Sequence, residues 1–286
     1  MLSKFSSVKS NYFLLPVDLI LIRNGISEGS VMIKRYQNNF HFSKKVLHAF
    51  SSVHSSRWRL TQLGQIQARS TGKWISENYP KKFDAYLTGE YVRSLETACL
   101  LNLEGASWVP SLYLRPRDYG GYTSLNKFQG SEQEKKIMEE RKRDSFYWAP
   151  PNGESIAHMK LRIERVMNWI RKNVPNNGAA IIIANKDIME SVRIKIEHIS
   201  QMDYMEKIIQ PPKNHILHNC SVLHYTRRNP ITGEIVPDYK WIRISTPWLG
   251  KRFIPEHFET IISKYYDNSE LLAEVSNVQR IFPEYS

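Results

Sequence analysis

The sequence lacks any long hydrophobic run. Its longest purely apolar stretches, such as Ala179 to Ala184, are far shorter than the roughly 20 residues that a membrane-spanning helix needs. Hydrophobic residues make up 41% of the 286 positions and aromatic residues 12%, which is ordinary for a globular protein. We therefore exclude a transmembrane protein and predict a chain long enough to bury a full-sized core.

Cysteine is also scarce, and no metal-binding spacing replaces it. The two cysteines, Cys99 and Cys220, lie in apolar surroundings without a Cys-x-x-Cys pattern. We therefore predict two buried thiols in a reducing compartment rather than a disulfide scaffold. Three histidines of the region after the first strand, His41, His48 and His54, share no short ligand spacing. We predict no metal site and no cofactor.

Acidic residues are few relative to basic ones. Forty Lys and Arg against 28 Asp and Glu give a net charge of +12, which favours contact with anions. Phosphate esters, nucleic acid, acidic lipid and an acidic protein partner all fit that charge, and so does a lysine-rich surface without a specific partner. The first 17 residues contain no acid, two lysines and four serines, which is similar to a mitochondrial targeting segment although arginine is missing. A frayed N-terminus is the alternative.

Predicted strands alternate with predicted helices along most of the chain. The apolar run Val17 to Arg23 ends in a polar loop, and Ala179 to Ala184 follows an Asn-Asn-Gly turn, as is typical of buried parallel strands. This alternation predicts an α/β fold, a three-layer α/β/α domain with a mainly parallel sheet. We divide the chain into an N-terminal extension at 1–16, a domain at 17–246 with a long, mostly irregular insertion at about 30–59, and a C-terminal extension at 247–286.

Three helices are predicted from their caps and their apolar spacing. Thr61 caps the first, the second runs from about Tyr91 to Leu101, and Ser155 caps the third, which ends near Asn173. The predicted inward residues of the first helix are Leu63, Ile66, Trp74 and Ile75, and those of the second are Val92, Leu95 and Cys99. Those of the third are Ile156, Met159, Ile163, Val166 and Ile170.

Three loops at predicted strand ends carry residues suited to binding a phosphate group. Arg23-Asn24-Gly25 follows the first strand, the segment Thr88 to Arg93 follows the second, and Asn185-Lys186-Asp187 follows the later buried strand. In α/β sheets, ligands bind beyond the carboxyl ends of the strands. The two arginines of these loops can hold a tetrahedral phosphate through forked, charge-assisted hydrogen bonds.

Four motifs occur in a fixed order along the chain. The first motif, residues 23–27, is Arg-Asn-Gly-Ile-Ser, and the second, residues 60–68, is Leu-Thr-Gln-Leu-Gly-Gln-Ile-Gln-Ala. The third motif, residues 88–98, begins with Thr88, contains Arg93 and ends with Thr97-Ala98. The fourth, residues 153–155, is Gly-Glu-Ser. In these motifs the chain resembles the histidine phosphatase superfamily, which has the phosphoglycerate mutase-like fold. The resemblance covers about residues 17–225. The second motif matches the family pattern without a change. The first motif has Asn24 where the family has histidine, and the third has Thr88 where the family has serine.

Three positions depart from the chemistry that the resemblance implies. The family's nucleophilic histidine falls on Asn24, its second histidine on Asn185, and its acid on Pro116. An imidazole nitrogen has a free lone pair that attacks phosphorus, whereas the lone pair of an amide nitrogen is delocalised into the carbonyl group. Loss of the nucleophile alone removes on the order of 10⁴- to 10⁶-fold in rate. We therefore predict no catalytic residue at these degenerate positions and no phosphoryl transfer.

The resemblance also implies a phosphate-binding set that is still present. It comprises Arg23, Arg93, Ser27, Thr88 and Lys186, the last being a cation where the family has glycine. Each charged hydrogen bond to phosphate contributes roughly 1.5–3 kcal/mol, so such a set can hold an anion. The alternative is that the arginines form internal ion pairs, for example with Glu154 or Asp118.

The leading prediction is a non-catalytic family member, a pseudophosphatase that binds a phosphorylated small molecule or serves as an accessory subunit of a larger assembly. Aromatic residues of the insertion and the tail suit either a protein partner or local packing: Phe40, Phe42, Trp248, Phe253, Phe258, Tyr265 and Tyr266. One alternative is a phosphatase acting on small phosphoesters. Another is a nucleic-acid-binding accessory protein, although no zinc-finger or helix-turn-helix signature accompanies the charge. We expect an intracellular protein, with mitochondria favoured over the cytoplasm.

Overall fold

A seven-stranded sheet organises the computed structural model, which describes residues 14–282 except 39, 80–81, 121–138 and 264. The strands are β1 (Asp18–Arg23), β2 (Ala85–Gly89), β3 (Trp108–Ser111), β4 (Ala179–Ala184), β5 (Val222–Thr226), β6 (Trp241–Ser245) and β7 (Glu259–Thr260). The longer helices are α1 (Glu28–Gln37), α2 (Lys44–Ser51), α3 (Gln62–Asn78), α4 (Val92–Leu101), α5 (Ile156–Asn173), α6 (Lys186–Ile196) and α7 (Asn268–Ser276). Most of the predicted N-terminal extension, residues 1–13, lies outside the described part.

The sheet is parallel at its centre and antiparallel at one edge. Its strand order is β3-β2-β4-β1-β5-β6-β7, with β1 to β4 parallel and β5 to β7 antiparallel to their neighbours. Arg23 is opposite Ala184 at the ends of β1 and β4, and Thr88 of β2 is opposite Ile183. The carboxyl ends of β1, β2 and β4 consequently meet at one edge of the sheet. The predicted α/β class with a mainly parallel sheet is confirmed.

Alternate residues of the central strands face two helical layers. Leu19 and Leu21 of β1 belong to the core beneath α5 and α6, whereas Ile20 and Ile22 belong to the core beneath α3 and α4. Because both faces of the sheet are covered, the sequences of the central strands are continuous apolar runs. This two-sided burial explains why β1 and β4 were recognisable as central strands from the sequence.

The predicted caps of α3 and α5 are confirmed, as is the predicted inward face of α5. Ser155 Oγ accepts a hydrogen bond from the backbone N–H of His158 at 3.0 Å, and Thr61 Oγ1 accepts one from Gly64 at 3.1 Å at the start of α3. All five apolar residues predicted to face inward on α5 are buried.

The apolar face predicted for α3 is wrong in its first half. Leu63 and Ile66 are 48% and 62% exposed. The buried side of this half carries Gly64, Gln67 and Ala68 instead. A Cβ at Gly64 would lie 2.3 Å from the carbonyl oxygen of Ile26, so the helix packs directly on the backbone of the loop after β1. Only small or hydrogen-bonding residues fit such an approach, and hydrophobic spacing does not reveal it.

The inward residues predicted for α4 are also partly wrong. Leu95 and Cys99 are exposed, so the prediction of two buried thiols holds only for Cys220. Burial raises the pKa of the Cys220 thiol. The helix turns Thr97 inward because its hydroxyl accepts a hydrogen bond from Gly25 N–H at 3.1 Å. Polar contacts with the loop after β1, rather than apolar spacing, set the rotation of α4.

The insertion and the tail contain more regular structure than predicted. The region 30–59 consists mostly of α1, α2 and a 3₁₀ turn at Ser55–Arg57 rather than a loop with some helix. In the tail, β7 pairs with β6, and Ile261 joins the core. Within the described residues, every helix is too short or too polar to cross a membrane.

Candidate functional site

A pocket of about 460 Å³ lies at the carboxyl ends of the parallel strands. The three degenerate positions, Asn24, Pro116 and Asn185, all line it. So do four of the five residues predicted to bind phosphate, namely Arg23, Ser27, Arg93 and Lys186. The structure thus brings together residues from four separate segments of the sequence.

Thr88 is the one predicted phosphate ligand that does not line the pocket. Its side chain is fully buried, and its hydroxyl donates to the carbonyl of Gly89 at 3.2 Å. Thr88 is paired with Ile183, which belongs to the core beneath α3 and α4. A side chain on that face of the sheet points into the core rather than beyond the strand ends, so this prediction is wrong.

Two arginines, the buried Arg93 and the half-buried Arg23, form the cationic base of the pocket. Arg23 Nη1 donates to the carbonyl of Leu217 at 2.6 Å, and Arg93 Nη1 donates to the carbonyl of Ser55 at 2.7 Å. Burial lowers the pKa of Arg23, and it lowers the pKa of Arg93 to about 10, although the charge of Asp187 opposes both shifts. Both guanidinium groups therefore stay charged at neutral pH.

The internal ion pairs considered for these arginines do not form. Glu154 instead pairs with Arg115 at 2.9 Å and with Arg162 at 2.8 Å. Asp118 accepts from the backbone N–H of Gly120. Among the residues that the structure describes, neither Arg23 nor Arg93 has a carboxylate within salt-bridge distance, although the charge of Asp187 reaches both and that of Glu190 reaches Arg23.

The two carboxamides are held in different ways. Asn24 is 4% exposed, and its Nδ2 donates to the carbonyl of Gly25 at 2.8 Å. Asn185 Oδ1 accepts from Arg93 Nε at 2.9 Å, while its buried Nδ2 has no acceptor among the described residues. The backbone N–H of Asn24 donates to the carbonyl of Ala184 at 2.9 Å, which keeps the two loops adjacent. Asn185 thus presents an unsatisfied N–H donor in the pocket wall.

Helix N-termini add partial positive charge. Ser27 caps α1, where its Oγ accepts from Ser30 N–H at 3.3 Å, so this hydroxyl is already engaged. At α6, the side chain of the N-cap residue Asn185 makes no capping hydrogen bond, which leaves the first N–H groups of the helix available to an anion. Lys186 is 46% exposed and pairs with Glu190 at 2.8 Å, so part of its charge is compensated.

Two carboxylates line the pocket, but neither is at position 116. Pro116 has no ionisable group, and the lining carboxylates are Asp118 and Asp187. Asp187 accepts from the hydroxyl of Tyr119 at 3.4 Å. The charge of Asp187 and burial together raise the pKa of Tyr119. Within the described part of the chain, Asp, Glu, His and Cys side chains form no cluster of three suited to a metal ion.

Sequence reasoning missed much of the pocket wall. That wall carries His54, Ser55, Trp58, Tyr91, Arg117, Tyr119, Arg141 and Trp148. Several of these residues come from the insertion, whose lack of periodicity gave no signal of which side chains turn inward. Arg117 is held by the carbonyls of Glu154 at 2.7 Å and Trp148 at 3.0 Å, so it supports the wall structurally.

The chain is similar to a known family and to several known proteins. The family profile of the histidine phosphatase superfamily (branch 1) matches residues 53–229. The chain is 32% identical over 137 residues to a 2,3-bisphosphoglycerate-dependent phosphoglycerate mutase of Methylorubrum populi, a match covering 44% of this chain and 63% of the mutase. A mutase of the same description from Bartonella quintana is 25% identical over 197 residues, covering 66% of this chain and 85% of that protein. The match to the Methylorubrum protein spans less than two thirds of that protein's length.

Solved structures of similar shape share the fold at low identity. Mycobacterial glucosyl-3-phosphoglycerate phosphatase superposes with a TM-score of 0.54 at 14% identity, covering 80% of this chain and 97% of that one. Phosphoserine phosphatase of Entamoeba histolytica gives a TM-score of 0.52 at 16% identity, covering 77% of this chain and 93% of that one. These likenesses establish the fold.

Proposed function

This chain belongs to the histidine phosphatase superfamily, and from that membership we propose that it binds phosphate monoesters without transferring their phosphoryl group. The observation that carries the proposal is the presence, in one pocket, of two arginines without a direct salt bridge and of two carboxamides. Arg23 and Arg93 remain available to an anion, while Asn24 and Asn185 stand where the family's two histidines are expected. The protein is then a pseudophosphatase.

The binding half of the proposal rests on electrostatics. A phosphate ester in the pocket can accept from Arg23, from Arg93, from the Nδ2 of Asn185 and from the first N–H groups of α6. Each charged hydrogen bond contributes roughly 1.5–3 kcal/mol. Because the donors are already held by backbone carbonyls and by Asn185, little ordering is needed on binding.

The non-catalytic half rests on what the pocket cannot supply. A carboxamide nitrogen does not attack phosphorus, and Pro116 cannot protonate a leaving oxygen. Ser27 is a hydroxyl in the right loop, but it caps α1 and no described base contacts it. Phosphoryl transfer, whether for hydrolysis or for a mutase reaction, therefore lacks both of its essential groups.

Titration calorimetry with inorganic phosphate, together with a p-nitrophenyl phosphate assay, tests both halves. We expect phosphate binding and no turnover above the uncatalysed rate. Arg93→Gln should weaken binding by about 10- to 100-fold, since one to two charged hydrogen bonds are lost. Arg165→Gln, at an exposed position on α5, is the matched control. Turnover comparable to that of an active phosphatase, or binding that does not respond to Arg93→Gln, contradicts the proposal.

A second role, as an accessory subunit of a protein assembly, is favoured by the last helix. None of the residues of α7 is buried, and Leu271, Leu272 and Val275 are 48%, 67% and 64% exposed. Apolar residues of this size are depleted from surfaces that contact only water. Size-exclusion chromatography of the native protein from cell extract tests this role. Elution of the chain alone, at about its own mass, contradicts it.

A further inference from the structure

The pocket is much larger than a phosphate group. Its volume of about 460 Å³ is in the range of sites that enclose a drug-sized molecule, roughly 300–1,000 Å³. The phosphate-binding groups occupy only one end, where β1, β4 and α6 meet. The rest of the volume has to fit whatever the phosphate is attached to.

The wall of the pocket is largely aromatic. Five rings line the pocket outside its cationic base: His54, Trp58, Tyr91, Tyr119 and Trp148. Guanidinium groups extend this planar surface, since Arg117 and Arg141 lie 5.7 and 6.0 Å from the ring centroid of Trp148. Aromatic rings and guanidinium planes are the surfaces on which nucleobases stack in proteins.

Trp58 adds a specific polar feature to this wall. Its indole Nε1 is buried and has no acceptor among the described residues. The ring is fixed, because it stacks on Phe50 at 4.8 Å and packs against Gly29 so closely that a Cβ there would lie 2.0 Å from it. A buried donor without an acceptor is unfavourable, and a ligand that carries an acceptor relieves this. We therefore expect the ligand to carry a ring nitrogen or a carbonyl oxygen that accepts a hydrogen bond from Trp58 Nε1.

We propose that the ligand is a nucleoside monophosphate, with its phosphate at Arg23 and Arg93, its base against the aromatic wall, and a base acceptor bonded to the indole N–H of Trp58. This inference rests on the proposed function and assigns the ligand class of the same pocket. A nucleobase is planar and carries ring nitrogens or carbonyl oxygens, so it meets both requirements of the wall. A small polyol phosphate offers no plane to stack.

A phosphotyrosine peptide also carries a ring and a phosphate, so it is the competing ligand that the test has to separate. A peptide chain needs an open groove on both sides of the inserted side chain, whereas a nucleotide is a single compact molecule.

Isothermal titration of the full chain with five probes tests the inference: inorganic phosphate, ribose 5-phosphate, adenosine 5′-monophosphate, guanosine 5′-monophosphate and a phosphotyrosine peptide. We expect at least one nucleotide to bind about tenfold or more tightly than ribose 5-phosphate, because a stacked base adds affinity. Trp58→Phe should weaken nucleotide binding by about tenfold and leave the affinity for ribose 5-phosphate unchanged, since an aromatic ring is kept but the indole N–H is lost.

Trp169→Phe, on the outer face of α5, is the matched control and should change neither affinity. Should Trp58→Phe unfold, Trp148→Leu removes a stacking surface and should give the same selective loss. Equal affinities for nucleotides and ribose 5-phosphate overturn this inference but leave the proposed function standing. Tighter binding of the phosphotyrosine peptide than of either nucleotide also overturns it. If none of the phosphate probes binds, both this inference and the proposed function fail.

Discussion

Arg93 and Asn185 are joined by a hydrogen bond of 2.9 Å between the guanidinium Nε and the carboxamide Oδ1, and both side chains are buried. The bond orients the arginine without neutralising it, because the carboxamide carries no charge. A carboxylate at the same place would orient Arg93 equally well but would cancel the charge that attracts a ligand. The amide at position 185 is thus compatible with binding an anion and incompatible with acting as a base.

Asn185→Asp tests this role of a neutral partner. The new carboxylate should form an ion pair with Arg93 and repel phosphate, so we expect phosphate affinity to fall by at least about tenfold in titration calorimetry. Asn173→Asp, at the exposed end of α5, makes the same change away from the pocket and should leave affinity unaltered. Unchanged affinity in Asn185→Asp would show that phosphate binds elsewhere.

Restoring the imidazoles should restore only part of the chemistry. We expect Asn24→His with Asn185→His to become phosphorylated by a phosphodonor, as measured by radiolabel incorporation, but to turn over slowly because Pro116 supplies no proton. Adding Pro116→Glu should raise p-nitrophenyl phosphate hydrolysis by about 10²- to 10⁴-fold, the usual contribution of a general acid. Labelling of the unmodified chain at a pocket residue would refute the pseudophosphatase assignment.

A buried chain of polar groups beneath the opposite end of the sheet predicts acid sensitivity. His224 bonds to Asp18 at 2.8 Å and to the hydroxyl of Tyr79 at 2.6 Å. Burial lowers the pKa of His224 in spite of Asp18, so the folded protein holds this ring neutral. Burial alone would raise the pKa of Asp18, but its hydrogen bonds with His224 and Thr226 outweigh burial and leave the pKa lowered.

The sign of the pH dependence follows from the lowered pKa of His224. Above the unfolded histidine pKa of about 6.5 the ring is neutral in both states, and below it the unfolded chain binds the proton first. The free energy of unfolding should therefore fall as the pH drops below about 6.5. Urea titrations between pH 7.5 and 5 should show a smaller fall in His224→Asn than in the unmodified chain. His257→Asn, at an exposed position, should retain the full fall.

The close approach of α3 to the loop after β1 predicts a steric cost. In Gly64→Ala the new Cβ would lie 2.3 Å from the carbonyl oxygen of Ile26, so the helix must shift. We expect a loss of about 1–3 kcal/mol in the free energy of unfolding, measured by urea denaturation. Gln62→Ala, at an exposed position of the same helix, should cost little or nothing. A stable Gly64→Ala variant would mean that this contact is looser than the structure shows.

The strand ends could be predicted from the sequence because fully buried parallel strands have a distinctive pattern. Arg23, Asn24 and Asn185 were assigned to one site because the carboxyl ends of adjacent parallel strands meet. Arg93 and Pro116 also line that site, as the resemblance implied.

Other features carried no readable signal. The direction of Thr88 depends on register within a strand whose residues are all buried, so the sequence has no alternation to show it. The prediction that Ile66 faces inward was wrong because a helix packed against backbone needs small residues, not large apolar ones, on its inner face. Trp58 and its neighbours reach the pocket from the irregular part of the insertion, where no periodicity marks an inward face.

The hydrogen bond from Arg93 to the carbonyl of Ser55 gives the pocket a mechanical link to its surroundings. The same guanidinium group that faces a bound anion also holds the outer segment in place. A ligand bound to this group is therefore one hydrogen bond away from a segment that reaches the molecular surface. Amide exchange across 43–59 should then report whether the cleft is filled.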